Sequence, residues 1–126
     1  MKKIALIMDG WKRFFTYAWP AGILQRIKET GEDVNLYIFN SSGDWSLDDD
    51  YNIGEYNIYF LPNLSDFDGI ILDTNNIRYP DVSKRIIEAA KKTGKPVISI
   101  AKEIEDFYYV GIDNYASIQK MICLLY

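Results

Sequence analysis

Asp68-Gly69-Ile70-Ile71-Leu72-Asp73-Thr74-Asn75-Asn76 decides the fold of this chain. An apolar run set between polar turn residues reads as a strand buried on both faces that ends in a polar crest. Its twin is the opening stretch, Lys3-Ile4-Ala5-Leu6-Ile7-Met8-Asp9-Gly10. Runs of this kind belong to parallel sheets covered on two sides, and open parallel sheets take ligands at the carboxyl end of their strands. The first polar side chains stand at that end. Their position points to a binding module before any catalytic motif is sought.

The chain's 126 residues match one domain with one core. Hydrophobic residues at 48% and charged residues at 25% exclude wholesale disorder. Aromatic residues reach 15%, with ten Tyr and three Trp. The net charge of -4 and pI of 4.8 argue against a nucleic-acid surface, which needs a basic face. Apolar stretches fall well short of the roughly 18 residues of a spanning helix, and no apolar signal segment follows Met1-Lys2-Lys3, so a cytoplasmic location is expected. Cys123 is alone and there is no His, which excludes an intrachain disulfide and the usual zinc sites.

Strands and helices alternate along the rest of the chain. A strand at Ile4 to Met8 precedes a helix from about Tyr17 to Thr30, with Pro20 in its first turn and Gly31 as its stop. Val34 to Phe39 alternates apolar and polar residues, the mark of a strand near a sheet edge. Ser41 to Asp44 reads as a loop, Leu47 to Tyr56 as a short acidic helix, and Ile58 to Leu61 as an extended piece stopping at Pro62. Asp48-Asp49-Asp50 reads as a solvated acidic turn, since the register of a calcium loop is absent. After Ile70 to Leu72, Pro80 to Lys92 is a well-signalled helix: Pro80 suits its first turn, Asp81 its positive end, and Lys91-Lys92 its negative end. Pro96 to Ile100 and Tyr109 to Ile112 are further strands, and Asn114 is placed to cap a final helix. With right-handed crossovers the expected architecture is a three-layer α/β sandwich whose mainly parallel sheet has five or six strands in flavodoxin-like order.

No dinucleotide fingerprint, phosphate-binding P-loop, zinc-protease helix or nucleophile elbow occurs. What recurs is a polar or aromatic residue just past each strand: Asp9 and Trp11, Asn40, Asp73 and Asn75, Lys102, Asp113 and Asn114. In a parallel sheet these loops open onto one edge. Carboxylates and amides exchange hydrogen bonds with hydroxyl groups, and an aromatic face covers the apolar side of a sugar ring.

Taken in order, Ile4-Ala5-Leu6-Ile7, Phe14-Phe15, Gly22-Ile23, Asp68-Gly69-Ile70-Ile71-Leu72, Lys95-Pro96-Val97-Ile98-Ser99-Ile100 and Val110-Gly111-Ile112-Asp113-Asn114 resemble the first half of the effector domain of Lac-repressor-like regulators. The resemblance spans nearly the whole chain, with Asn40 to Phe67 the weak part. It implies a type I periplasmic-binding-protein fold of two similar lobes closing on a sugar, nucleobase or related metabolite. It also implies ligand contacts from the loop Asp9 to Phe15, from Asp73, and from the position after the Pro96 to Ile100 strand. There the family commonly has Asp-Arg where this chain has Ala101-Lys102, so a point charge replaces a planar fork. The loop Asp9-Gly10-Trp11-Lys12-Arg13 likewise departs from the family's Ser-Asn-Pro pattern.

The resulting expectation is a non-catalytic lobe that senses a sugar or related metabolite for a signalling or transcriptional regulator. Its ligand-binding residues are Asp9, Trp11, Phe14, Phe15, Asp73, Asn75, Lys102 and Asp113, with no metal and no cofactor. A homodimer is expected through Pro80 to Lys92 or Tyr115 to Leu125, with no membrane contact and no direct nucleic-acid contact. Neither a DNA-reading head nor the second lobe is visible, so a fragment of a larger two-lobe sensor is expected, its output module a DNA-binding head, a diguanylate cyclase or another domain. The competing reading is a response-regulator-like receiver phosphorylated on Asp73, with Asp9 and Lys102 as its other candidates. A flavin site is a third, opposed by the bulky residues that follow Asp9 where a phosphate cradle needs small ones.

Overall fold

The computed structural model describes residues 1–11 and 13–125, the side chain of Phe15 excepted. Five strands, β1 (Lys2–Asp9), β2 (Val34–Ser41), β3 (Gly69–Leu72), β4 (Val97–Ile100) and β5 (Tyr108–Val110), form one sheet in the order β2-β1-β3-β4-β5. Every neighbouring pair is parallel, and the order is the flavodoxin-like one. The solid apolar runs of β1 and β3 lie at the centre, where both faces are covered. Alternating β2 takes an edge, as its pattern requires.

Helix α1 (Ala18–Thr30) lies on one face; α2 (Asp49–Glu55), a 3-10 turn at Tyr56–Phe60 and α3 (Pro80–Lys92) cover the other. Ala5, Ile7, Ile70, Leu72 and Val97 meet Tyr56, Tyr59, Val82, Ile86 and Ala90 in the main core. Burying such aliphatic side chains contributes about 1.5–3 kcal/mol each. Across the sheet, Ile4, Ile71 and Ile98 face Ile23 and Ile27 of α1. This second layer is thinner, because no residue of α1 is fully buried.

Local chemistry explains the boundaries. Helix α3 has the expected bounds, with Pro80 in its first turn and Lys91 and Lys92 in its last. Gly31 closes α1 at φ 65°, its N–H returning to the carbonyls of Ile27 and Lys28. Asp48 is more than a solvated turn residue: its carboxylate accepts the N–H groups of Asp50 and Tyr51 and caps α2. Ile58 to Leu61 is not extended. Tyr56 and Tyr59 are both buried, and the tighter 3-10 spacing sets them on one side, rings stacked 5.8 Å apart. Strand β5 ends at Val110, short of the expected Ile112. Helix α4 (Asn114–Leu125) is capped by Asp113, not Asn114: the Asp113 carboxylate accepts the Ala116 N–H at 2.9 Å. No side chain of α4 is buried.

Candidate functional site: the carboxyl-end rim of the sheet

Strand register sets the site. Ile7 pairs with Leu72, and the ladder continues one step as the Asp73 N–H donates to the Ile7 carbonyl at 2.8 Å. Side chains alternate between faces, and Ile7 and Leu72 both point into the core beneath α3. Asp73 therefore turns toward α1. Asp9, two residues after Ile7, turns the other way. The two carboxylates share one rim but leave by opposite faces of the sheet.

On the α1 side, the Trp19 indole Nε1 donates to Asp73 Oδ2 at 3.1 Å. Asp73 is 2% exposed, and burial pushes its carboxyl above the ordinary carboxylate range. The Asn75 backbone N–H and the Trp19 indole draw it partly back, while the charge of Asp9 pushes it further up. The same Trp19 walls a hollow of about 310 Å³ with Ile100, Ala101, Tyr109, Ile112 and Asn114. Its walls are mostly apolar and it lies over the carboxyl ends of β4 and β5. The volume falls at the lower end of the roughly 300–1,000 Å³ typical of small-ligand pockets.

On the α2 and α3 side, the Ser41 hydroxyl donates to Asp9 Oδ1, and the Arg13 guanidinium stands 3.9 Å from Asp9 Oδ2. Ser41 is the register partner of Asp9 across β1 and β2, which is why the two meet. Burial raises the Asp9 carboxyl above its ordinary range; Ser41 and Arg13 oppose that and Glu55 reinforces it. Beneath them, the buried Tyr59 phenol donates to the Met8 carbonyl at 2.8 Å. The recess beside Asp9 encloses only about 10 Å³, room for one water. This half of the rim is a packed polar network whose hydrogen bonds are made within the protein.

The other expected residues fall outside both of these groupings. Trp11 and Phe14 belong to the loop and 3-10 turn that precede α1; Trp11 is exposed with its ring 6.3 Å from that of Tyr17, and Phe14 is 90% exposed. Neither is core. The side chain of Phe15 lies outside the described residues. Asn75 and Lys102 border a separate open groove along α3, with Thr74, Ser83, Lys84 and Lys91. Asp113 is engaged as the cap of α4. Trp19, Ser41 and Tyr109 were not read from the sequence. Ser41 was legible in principle as the residue level with Asp9 once β2 is extended past Asn40, whereas nothing in the local pattern marks Trp19.

No protein-family model matches the chain, and no curated protein matches its sequence. Solved structures do. A LacI-family transcriptional regulator CcpA from Weissella paramesenteroides with bound sucrose superposes at TM-score 0.62 and 10% identity, over 98% of this chain and 41% of that one. The fructose-binding periplasmic domain of a hybrid two-component system gives TM-score 0.65 and 21% identity, over 98% and 39%. A periplasmic solute-binding protein of an ABC transporter from Actinobacillus succinogenes with bound D-allose gives 0.63 and 19%, over 91% and 40%. The fold is that of one lobe of a type I periplasmic-binding protein. The resemblance to Lac-repressor-like effector domains holds at the level of fold, and the lobe spans about 40% of the length of these solved chains. Among its described residues no helix is long and apolar enough to cross a membrane.

Proposed function

We propose that this chain is a non-catalytic lobe that senses a sugar or related hydroxylated metabolite for a transcriptional or signalling regulator, and that it is part of a larger two-lobe sensor. The observation that carries this reading is the α1 half of the rim. A buried carboxylate, Asp73, accepts a hydrogen bond from Trp19, which together with Tyr109 walls a mostly apolar hollow. An ionised carboxylate only accepts hydrogen bonds, so it favours ligands rich in hydroxyl donors. Indole and phenol faces suit the apolar side of a sugar ring. Solved proteins of this fold that bind sucrose, fructose and D-allose support the ligand class.

In this reading the exposed Trp11 and Phe14 offer aromatic faces to a ligand ring. Asp9 shapes the rim through Ser41 and Arg13, and Asn75 and Lys102 act from its α3 side. Self-association through the exposed apolar side chains of α4 and a cytoplasmic setting complete the proposal.

One lobe leaves much of a ligand's surface open, so millimolar affinities are expected of this chain alone. A thermal-shift screen against monosaccharides, disaccharides and nucleosides at tens of millimolar tests the proposal. Stabilisation by a subset of monosaccharides is the expected result. A uniformly flat response contradicts it.

A further inference from the structure

Among the described side chains at the rim, Trp19 serves both the buried carboxylate and the hollow. Its Nε1–H donates to Asp73 Oδ2 at 3.1 Å while its ring forms a wall of the 310 Å³ space beside β4 and β5. Trp19 is the second residue of α1, half-buried, one residue before Pro20. Proline in the first turn fixes the entry of the helix at φ near -65°, so the indole is delivered by a rigid element, not by a mobile loop.

We propose that Trp19 is the positioning residue of the ligand site: by holding Oδ2 through its N–H, it fixes the Asp73 carboxylate for a ligand hydroxyl, and its ring limits the hollow to a single sugar ring. The proposal rests on the sugar-sensing reading above and adds to it the residue that sets orientation and size. Two consequences are separable. Removing the N–H while keeping a ring loosens the carboxylate but leaves the wall; removing the ring opens the hollow as well.

The groups that act on Asp73 are Asp9 from β1, Arg13 from the loop after β1, the Asn75 backbone N–H from the turn after β3, and Trp19 itself from α1. Among the described residues, the last two donate hydrogen bonds to the carboxylate, and both favour its ionised form. A Trp19→Phe variant withdraws one of them. The carboxyl of Asp73 then titrates at higher pH than in the wild type, and a ligand that needs the carboxylate as acceptor loses affinity from a higher pH downward. A merely structural role for Trp19 moves neither midpoint.

The test combines carbon-detected NMR titration of the Asp73 carboxyl with calorimetric titration of D-allose, D-fructose and sucrose, on wild type, Trp19→Phe and Trp19→Leu. Circular dichroism checks that each variant is folded. Expected are an upward move of the Asp73 midpoint in both variants, and about a tenfold loss of monosaccharide affinity in Trp19→Phe near neutral pH. Preference for monosaccharide over sucrose should survive in Trp19→Phe and shrink in Trp19→Leu. An unchanged Asp73 midpoint in Trp19→Phe overturns the positioning role even where a sugar binds. A moved midpoint in a protein that binds none of the three sugars overturns instead the recognition role and the sugar-sensing reading beneath it. Should Trp19→Leu fail to fold, the midpoint and affinity in Trp19→Phe still decide the matter.

Discussion

Asp9 and Asp73 end adjacent parallel strands at nearly the same height, yet they face opposite sides of the sheet: Asp9 meets Ser41 and Arg13, and Asp73 meets the indole of Trp19. The strand period of two is the cause, because Asp73 is level with Met8 and not with Asp9. The two carboxylates are thereby separated: Asp73 is held by Trp19, which walls the hollow over β4 and β5, and Asp9 is held by Ser41 and Arg13 within the protein.

Asp73→Asn should weaken sugar binding and yet stabilise the unliganded protein. The amide still accepts a hydrogen bond, but it lacks the charge that favours hydroxyl donors, so a loss of about tenfold or more is expected by calorimetry. Near neutral pH the variant should melt above the wild type, because the uncharged amide avoids the desolvation that raises the Asp73 carboxyl. Below the ordinary carboxylate range, where wild-type Asp73 is protonated as well, the two melting curves should converge.

Both rim carboxyls have folded-state pKa values above their ordinary value of 3.8, chiefly through burial. Such groups contribute stability that is fully present below the unfolded pKa and is lost as pH rises through the folded one. The contribution of Asp9 and Asp73 should therefore decline from about pH 4 upward, against the trend of exposed paired carboxylates. Urea unfolding at a series of pH values checks this: the decline should be shallower in the Asp9→Asn, Asp73→Asn double variant than in the wild type.

Gly43→Ala should cost more than Gly31→Ala. Both glycines have positive φ, 74° and 65°, where an L side chain costs roughly 1–2 kcal/mol. At Gly31 nothing lies within 4 Å of the added carbon, so that is the whole cost. At Gly43 the carbon would stand 2.3 Å from the Gly10 Cα, and the loop carrying Arg13 must move away. Urea denaturation should separate the two variants clearly, with an intact sugar response only in Gly31→Ala.

Tyr59→Phe removes the phenol that donates to the Met8 carbonyl while keeping the ring in the core. A loss of about 1 kcal/mol in urea is expected. Sugar affinity should change little, since Tyr59 lies on the α3 side of the sheet.

Much of the fold was legible because its strongest signals are local. The apolar runs of β1 and β3, the alternation of β2, and the Pro80 to Lys92 punctuation of α3 each follow from a few neighbouring residues. The segment at Tyr56–Phe60 was not, since the shared burial of Tyr56 and Tyr59 is set by the sheet beneath them. Asp113 displaced Asn114 as cap because β5 ends at Val110 and the helix starts one residue earlier than capping by Asn114 requires. At the site, the rim followed from strand ends alone. Its division did not, because the faces of Asp9 and Asp73 depend on the pairing of Ile7 with Leu72, a relation between residues 65 positions apart.

The most direct test of the account is a map of amide and indole NMR shifts on the wild-type chain during titration with a monosaccharide that stabilises it. The predicted result is a cluster of shifts at the Trp19 indole, Asp73 and Tyr109 to Asn114. Shifts confined instead to the α3 groove at Thr74, Lys84 and Lys91, with Trp19 and Asp73 unmoved, would contradict it.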